Sequence, residues 1–347
     1  MNDVAIKLGL AKAAVAFIIA IALSVAIIVA IRPSLRRIAL AKPNARSSHT
    51  VPTPQGGGAA VVAATIIAAA GALCWSAPAA ATFTSLLPLL VAVILIAAVG
   101  VADDIRPIGV APRFLLQALS VALVICTLPE TLRSAPFIPL WIERLVLIVG
   151  GLWFVNLVNF MDGLDWMTVA EVVPITAALA VFGALGYLPA TPTIISLALC
   201  GAMIGFAYFN RPVAKLFLGD VGSLPIGLLL GWLLVELAGR SALAAAILLP
   251  LYYLADATIT LVRRLRNGEK VWHAHRSHFY QRATDRGFTV RQIVARVFSV
   301  NIALAALAFF TLTTPSTLSK AAALICGAAV VGWLLLTFTR GRGTPRS

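Results

Sequence analysis

The stretch AAVGVADDIRP, residues 97–107, leads an apolar segment directly into two adjacent aspartates, Asp103 and Asp104. The apolar segment begins near residue 84, which gives it close to the ~20 residues that a helix needs to cross a bilayer. Two like charges side by side are costly, and they are more costly beside a hydrophobic slab. The pair therefore indicates a polar site at the edge of a membrane.

The rest of the chain has the same apolar character. It is 61% hydrophobic and only 12% charged, whereas roughly a quarter of the residues of a soluble domain are charged. We predict an all-α polytopic membrane protein and not a β-barrel, whose segments would be shorter and alternating. About eleven transmembrane helices are expected, near 13–31, 57–76, 84–102, 112–128, 140–158, 169–187, 190–209, 222–239, 242–262, 295–312 and 318–338.

The chain is predicted to be one integral-membrane domain over residues 1–347, with two helices and a basic tail after residue 295. The first span lacks a small-residue cleavage pattern, so we expect a retained helix and not a signal peptide. If successive loops alternate sides, 20 basic residues fall on one side and six on the other. The positive-inside rule then places the N-terminus in the periplasm and the C-terminus in the cytoplasm. This topology and attraction to anionic membrane lipid explain the net charge of +14 without a nucleic-acid partner.

The polar motifs of the chain all fall on the predicted cytoplasmic side, whereas the outer loops hold almost no carboxylates. This segregation predicts an active-site cleft on the cytoplasmic face. The motifs are NARSSHTVPTPQGGG (44–58), ADDIRP (102–107), NFMDGLD (159–165), FNRPVAKLFLGDVGS (209–223) and HAHRSHFYQ (273–281).

Five aspartates in three of these loops are expected to converge: Asp103, Asp104, Asp162, Asp165 and Asp220. Unpaired carboxylates near one another repel and raise each other's pKa values, and a divalent cation relieves that repulsion. Ligation by aspartate without cysteine suits Mg²⁺, with Mn²⁺ as the alternative, and only one or two carboxylates are needed on the metal. The competing interpretation is that each aspartate caps a helix or a turn.

Glycines begin two of the apolar helices, in QGGG (55–58) and GDVGS (219–223). Free N–H groups at a helix N-terminus form an anion site. Close packing of helices is the alternative for QGGG, and the sequence does not decide between them.

Three of the four histidines lie in one short segment, HAHRSH, among several arginines. The cationic neighbours disfavour a transition-metal site and fit the binding of phosphate or pyrophosphate. A solvated basic loop on the inner membrane face is the alternative. The histidines are His273, His275 and His278, and the arginines are Arg276, Arg282 and Arg286.

The ordered motifs PTPQGGG, ADDI, NFMDGLD, FNRPVAKLFLGDVGS and HRSHFYQR resemble those of the polyprenyl-phosphate N-acetylhexosamine-1-phosphate transferases, over roughly residues 33–290. The last motif looks more like the WecA/WbpL branch than the MraY branch. The resemblance implies a bundle of ten or eleven spans in the bacterial inner membrane. It also implies transfer of a sugar-1-phosphate from a UDP-N-acetyl sugar, or a deoxy derivative, to undecaprenyl phosphate. The products would be undecaprenyl-diphosphate-sugar and UMP, in the first step of a cell-envelope polysaccharide.

The resemblance also implies roles for individual residues. Asp220 would ligate Mg²⁺, and Asp103 and Asp104 would be catalytic, as base or lipid-phosphate contact. Phe217 would stack on uracil. The remaining nucleotide and phosphate contacts would be Asn159, Asp162, Asp165, Asn210, His275, Arg276 and the catalytic His278. Trp166 stands where the family usually has glycine, and packing is favoured over narrowing of the substrate site.

A membrane transporter of an anionic or sugar substrate is the alternative function. It would need ionisable residues near mid-membrane and broken helices in paired halves. Glu236, Asp256 and Arg296 are the few charges within or near the spans, and no inverted repeat is visible. The sequence leaves open which sugar is used and whether two copies form a homodimer.

Overall fold

The structure, a computed structural model, describes residues 3–41, 52–75, 79–270 and 275–340, without the side chains of 3–10 and 79–83. Of the predicted motif residues, His273 and the segment 44–51 lie outside the described residues.

The regular secondary structure of the described chain is helical except for one pair of two-residue strands. These strands, β1 (Leu40–Ala41) and β2 (Thr53–Pro54), pair antiparallel. The helices are α1 (Asp3–Ile38), α2 (Gly58–Cys74), α3 (Ala79–Ile105), α4 (Val110–Cys126), α5 (Leu140–Met161), α6 (Met167–Ala184), α7 (Ala190–Ala207), α8 (Asp220–Leu237), α9 (Leu243–Leu248), α10 (Leu251–Arg266), α11 (Phe279–Asp285), α12 (Val290–Thr313) and α13 (Thr317–Arg340).

Eight segments of the described chain are long and apolar enough to cross a membrane, which confirms a polytopic helical membrane protein. They are Ala11–Ile38, Thr84–Ile105, Leu140–Met161, Met167–Ala184, Ala190–Ala207, Asp220–Leu248, Val290–Thr313 and Thr317–Arg340. The apolar helices α2 and α4 are shorter. The count of eleven spans and their orientation stay predictions.

The ninth predicted span, 242–262, was wrong as a single helix. The chain leaves α9 at Leu248, turns at Leu249 and Pro250, and begins α10 at Leu251. Proline has no N–H to donate, and its ring clashes with the preceding turn of a helix, so the helix ends before Pro250.

Helix α8 forms the centre of the bundle. Of an 18-residue apolar stretch in the span that begins with it, Asp220–Leu248, 83% is buried, whereas the share is only 22% in Ala11–Ile38. Helix α8 packs against α2, α3 and α5, while α1 packs on the outside against α2 and α7. Outward side chains such as Ile18 and Ile325 are apolar and exposed, as expected where a helix faces lipid.

The first turns of α2 and α8 are in direct backbone contact. A Cβ on Gly58 would lie 2.1 Å from the Cα of Gly222. The N–H groups of Gly57 and Gly58 already donate to the carbonyls of Phe217 and Leu218, at 2.9 and 2.8 Å. Of the two alternatives for QGGG, the structure therefore supports close packing and not an anion site.

Candidate functional site

Polar residues from the five motifs surround one cavity of about 450 Å³ at one end of the bundle. This volume is within the usual range for small-molecule sites. Seven of the eleven predicted site residues line it: Asp104, Asn159, Asp162, Asp165, Asn210, Phe217 and Asp220. The predicted convergence of these motifs is confirmed as geometry, whereas the role of each residue stays a prediction.

The carboxylate of Asp104 holds the start of α8. Its Oδ1 accepts the backbone N–H of Asp220 at 3.0 Å, and its Oδ2 accepts that of Val221 at 3.1 Å. The first N–H groups of a helix have no partner within the helix, so a carboxylate there is stabilising. The N–H groups of Asp220 and Val221 in GDVGS are thus bonded to the protein, and the capping interpretation holds for Asp104.

The side chain of Asp220 faces the cavity. Its Oδ1 accepts a hydrogen bond from Asn159 Nδ2 at 2.7 Å, and the same amide nitrogen lies 2.8 Å from the hydroxyl of Ser223. Asn159 comes from the end of α5 and thereby fixes the orientation of a carboxylate on α8. Asp220 keeps 24% of its side chain exposed, so it remains accessible to a ligand.

Arg113, which the sequence analysis missed, connects two of the aspartates. Its Nη1 lies 3.0 Å from Asp103 Oδ2 and 3.6 Å from Asp220 Oδ2. The other oxygen of Asp103 accepts the backbone N–H of Ile108 at 2.7 Å. Asp103 does not line the cavity but adjoins it through this arginine. The sequence could have indicated this role, because Arg113 is a cation at the predicted membrane edge, on the same predicted side as the aspartates.

The pKa of Asp162, just after α5, is raised by burial and by the other carboxylates of the site. Burial and the negative charges of Asp220, Asp104 and Asp165 raise its pKa to about 8, although a hydrogen bond from the Thr168 hydroxyl opposes this. The predicted mutual repulsion of the carboxylates is therefore present at this residue. Such uncompensated negative charge would be relieved by a cation.

Asp165 and Asn210 join two of the loops that border the cavity. Asp165 Oδ2 accepts the backbone N–H of Ala214 at 3.0 Å. The amide of Asn210 accepts the N–H of Trp166 at 2.8 Å and donates to the carbonyl of Leu216 at 3.0 Å. Both side chains thus fix the loop between α7 and α8, in addition to lining the cavity.

Trp166 packs and does not line the cavity. Its indole N–H donates to the carbonyl of Ala207 at 2.6 Å. Its backbone is left-handed, with φ 64° and ψ 1°, a conformation that glycine adopts without cost. This explains why glycine is usual at this position of the motif.

Phe217 borders the cavity with its half-buried ring. Its backbone is held on both sides, since its N–H donates to the carbonyl of Pro54 and its carbonyl accepts the N–H of Gly57, each at 2.9 Å. The end of β2 and the residues just after it therefore position the ring.

The described histidine segment lies beside the cavity. His275, Arg276 and His278 do not line it, but Gln281, which the sequence analysis missed, does. Arg276 pairs with Asp285 at 2.8 Å. Burial, helped by the nearby His278 and Arg264, lowers the pKa of His275 to about 4. His275 is therefore neutral at pH 7.

His278 is buried, and its Nδ1 lies 3.2 Å from Asp256 Oδ1. Asp256 itself lies away from the cavity lining and accepts hydrogen bonds from the start of α11.

The residues around the cavity fit a hard divalent cation. The accessible donor is the Asp220 carboxylate, the raised pKa of Asp162 reflects the burial of that side chain and the negative charges around it, and the neighbouring donors are oxygens. Within the described ranges, no three carboxylate, histidine or cysteine side chains are arranged to hold a metal by themselves. A hard cation such as Mg²⁺ takes one or two carboxylates from the protein and completes its shell with water and substrate phosphate.

A family model described as glycosyl transferase family 4 matches residues 86–238. All seven of the predicted residues that line the cavity, from Asp104 to Asp220, fall within this range. The histidine segment and α11 lie beyond it.

Three curated relatives resemble the chain. A probable undecaprenyl-phosphate N-acetylglucosaminyl 1-phosphate transferase of Bacillus subtilis (strain 168) is 26% identical, over 63% of this chain and 64% of the relative. A decaprenyl-phosphate N-acetylglucosaminephosphotransferase of Mycobacterium leprae (strain TN) is 27% identical, over 75% and 73%. A phospho-N-acetylmuramoyl-pentapeptide-transferase of Aquifex aeolicus (strain VF5) is 29% identical, over 58% and 63%. Two of these matches thus span less than two thirds of the relative.

Proposed function

Since residues 86–238 match the model of glycosyl transferase family 4, we propose that the chain transfers a sugar-1-phosphate from a UDP-sugar to undecaprenyl phosphate. The products are undecaprenyl-diphosphate-sugar and UMP, and the sugar is an N-acetylhexosamine or a deoxy derivative. The names of the relatives support this reaction, because two of them name an N-acetylglucosamine phosphate transferred to a polyprenyl phosphate and the third names the transfer of a phospho-N-acetylmuramoyl-pentapeptide.

The observation that carries the proposal is the position of the carboxylates. Asp104, Asp162 and Asp220 surround one cavity at the end of an apolar bundle. A lipid-anchored phosphate reaches such a site within the plane of the membrane, and a nucleotide reaches it from water. A site at the end of the spans is therefore where the two substrates can meet.

We assign roles to the residues that line the cavity. Phe217 stacks on the uracil ring, and Asn210 and Asp165 hold the loop that borders the nucleotide. Asp220, oriented by Asn159, holds Mg²⁺, or Mn²⁺ in its place. When bound, the cation neutralises charge on the diphosphate, which is the main requirement of phosphoryl transfer.

The proposed reaction is a direct displacement. An oxygen of the lipid phosphate attacks the phosphorus that carries the sugar, forming a new diphosphate. The bond from that phosphorus to the oxygen it shares with the UMP phosphate breaks, and UMP leaves with the electron pair. The second pKa of a phosphate monoester is about 6, so the nucleophile is largely ionised at pH 7 and needs little help from a base.

The hydrogen bonds of Asp103 and Asp104 support direct displacement over an aspartyl-phosphate intermediate. Both oxygens of Asp104 accept backbone N–H groups, and those of Asp103 accept Ile108 N–H and Arg113. A carboxylate so engaged is a poor nucleophile. We therefore propose that Asp103 acts by orienting Arg113, whose guanidinium meets the lipid phosphate. Inversion at the transferred phosphorus is expected, and retention would contradict direct displacement.

For the histidine segment we propose contact with phosphate, through His278 first and then through His275 and Arg276. Neutral His275 donates a hydrogen bond and not a charge. Arg276 reaches a substrate only after it leaves Asp285, so we assign it the smallest role of the three.

We further propose the topology that the basic residues predict: eleven spans, counting α2, α4 and the broken α9–α10 segment, in the inner membrane of a bacterium. The cavity then faces the cytoplasm, where UDP-sugars are available. The transporter interpretation is disfavoured, because the relatives are named as transferases.

The test is release of UMP by the purified protein in detergent, with undecaprenyl phosphate and Mg²⁺, across a panel of UDP-sugars. UMP is expected only with lipid acceptor, metal and one class of donor. Asp220→Asn should lower the rate at least about 100-fold, since it removes a charged ligand of the cation.

Glu236→Gln is the matched control, because it makes the same chemical change on the same helix. Sixteen residues of helix place it about 24 Å from Asp220, where it pairs with Arg240. It should keep the wild-type rate. A folded wild-type protein that releases no UMP with any donor would contradict the proposed function.

A further inference from the structure

A buried carboxylate outside the cavity lining, Asp256 on α10, has donors from two elements. Asp256 is fully buried. From its own helix it accepts the hydroxyls of Tyr252, at 3.2 Å, and Thr260, at 3.4 Å. Burying a carboxylate is costly unless hydrogen bonds compensate for the lost water.

The other three donors belong to the start of α11. His278 Nδ1 lies 3.2 Å from Oδ1, the N–H of Phe279 donates to Oδ1 at 3.0 Å, and the N–H of Tyr280 donates to Oδ2 at 3.2 Å. Helix α11 has only seven residues, and so short a helix is not stable by itself. Its orientation therefore depends on contacts such as these with Asp256.

Helix α11 connects Asp256 to the cavity. The hydroxyl of Tyr280 donates to the carbonyl of Phe160 at 3.0 Å. It also lies so close to Gly163 that a Cβ there would be 2.2 Å from the hydroxyl oxygen. Gln281, the next residue, lines the cavity. A shift of α11 would therefore move the segment that carries Asp162.

The contact also determines which nitrogen of His278 is available. Both oxygens of Asp256 already accept backbone N–H groups, so Nδ1 is the ring nitrogen that this contact engages and Nε2 is the one left for another partner. Nε2 is buried and has no partner among the described residues, and His278 as a whole is only 3% exposed. A buried polar atom without a partner is expensive, which points to a group that arrives with a ligand.

We propose that Asp256 is a positioning residue for the transfer reaction, which holds α11 against residues 160–163 and fixes His278 so that its imidazole meets the substrates through Nε2. This inference rests on the proposed function, since it assigns a role within the same site. Asp256 touches no reacting atom and acts through His278 and α11.

The first test compares kcat and KM for UMP release in the wild type, Asp256→Asn and Tyr252→Phe. The asparagine amide turns an N–H toward donors that need an acceptor, so kcat should fall at least about 30-fold while KM for the UDP-sugar changes less than about threefold. Tyr252→Phe is the matched control, because it removes a donor to the same carboxylate from α10 and leaves α11 untouched. It should stay within about threefold of the wild-type kcat.

The second test is a double-mutant cycle with His278→Gln. If Asp256 acts through His278, the double variant should lose no more than about threefold beyond His278→Gln alone. Effects that multiply would overturn the part of the proposal in which Asp256 acts through His278. If Asp256→Asn does not accumulate as folded protein, Asp256→Glu takes its place in the cycle, with the same two outcomes.

Different results would contradict the proposed function and the proposed role of Asp256. A folded wild-type chain that releases no UMP overturns the proposed function and this inference with it. An active wild type beside an Asp256→Asn variant of unchanged kcat overturns this inference alone.

Discussion

Asp104, near the end of α3, accepts the backbone N–H of Asp220, the first residue of α8, at 3.0 Å. The two residues are 116 positions apart in the chain. The same carboxylate accepts the N–H of Val221, so it starts the central helix and thereby places the side chain of Asp220 at the cavity. Capping and function were alternatives for Asp104 in the sequence, and in the structure the cap is what builds the site.

Asp104→Asn should therefore destabilise the fold as well as lower activity. The amide has one acceptor where the carboxylate has two, so one N–H of α8 loses its partner. We expect the free energy of unfolding to fall by about 1–2 kcal/mol, with UMP release falling in parallel. Thermal unfolding in detergent measures the first effect.

The control is Asp285→Asn, since Asp285 is an exposed aspartate with one ion pair. This variant should change the free energy of unfolding by less than about 0.5 kcal/mol. An unchanged melting temperature for Asp104→Asn would contradict the cap.

Arg113→Gln should change metal binding and turnover in opposite directions. Without the guanidinium, Asp103 and Asp220 face the cavity with more negative charge, so Mg²⁺ should bind several-fold more tightly. The substrates' phosphates lose a cation at the same time, so kcat/KM for undecaprenyl phosphate should fall at least about 30-fold. Metal titrations of the rate measure both effects.

Arg106→Gln is the control for that experiment, because Arg106 lies in the loop just before α4, the helix that carries Arg113, and is exposed. It should keep both the metal affinity and the rate. If Arg113→Gln loses affinity for Mg²⁺, the guanidinium does not compete with the cation for the two carboxylates, and the proposed electrostatic role of Arg113 is wrong.

The raised pKa of Asp162 predicts a pH-dependent requirement for Mg²⁺. Below its pKa of about 8 the metal-free side chain is protonated, while a cation favours the ionised form. Raising the pH therefore removes a cost of metal binding, and the half-saturating Mg²⁺ concentration should fall by up to about tenfold per pH unit below pH 8. The metal-free protein should also lose stability from about pH 4 to pH 8, since the unfolded chain binds fewer protons there.

Asp162→Asn cannot titrate, so its dependence on Mg²⁺ should vary less with pH than that of the wild type. Rates measured against Mg²⁺ at pH 6.5, 7.5 and 8.5 in both proteins give the comparison. Parallel profiles would show that Asp162 does not contribute.

Two glycines of α2 should respond oppositely to alanine. Gly58→Ala places a Cβ 2.1 Å from the Cα of Gly222, so helix α2 must move away from α8, at a cost of about 1–3 kcal/mol. Gly71 has nothing within 4 Å of its added Cβ, and Gly71→Ala should be neutral or stabilising by up to about 1 kcal/mol. Thermal unfolding of both variants measures the difference, and equal effects would refute the contact between α2 and α8.

Much of the architecture could be predicted because it depends on local composition. Apolar segments of spanning length predict helices without knowledge of their neighbours, and alternate loops of such helices return to the same side. This is why residues as distant as Asp104 and Asp220 could be expected to converge. The break before Pro250 was missed, because the apolar segment continues through it and hides the effect of the proline.

The contacts within the site could not be predicted in the same way. That Arg113 reaches Asp103 and Asp220, or that Asp256 meets His278, depends on how helices rotate and approach one another. A carboxylate in a polar motif looks the same in sequence whether it caps a helix, positions a histidine or faces a ligand.

The sequence by itself determined the helical membrane fold and predicted that the polar motifs gather on one side, and it showed the family that these motifs resemble, because hydrophobicity, charge and motif order are properties of the chain alone. Only the tertiary structure decided which carboxylates accept hydrogen bonds from backbone N–H groups and which remain accessible to a ligand. That division depends on hydrogen bonds of about 3 Å between residues far apart in sequence, and the packing of α8 against α2 and α3 brings those residues together.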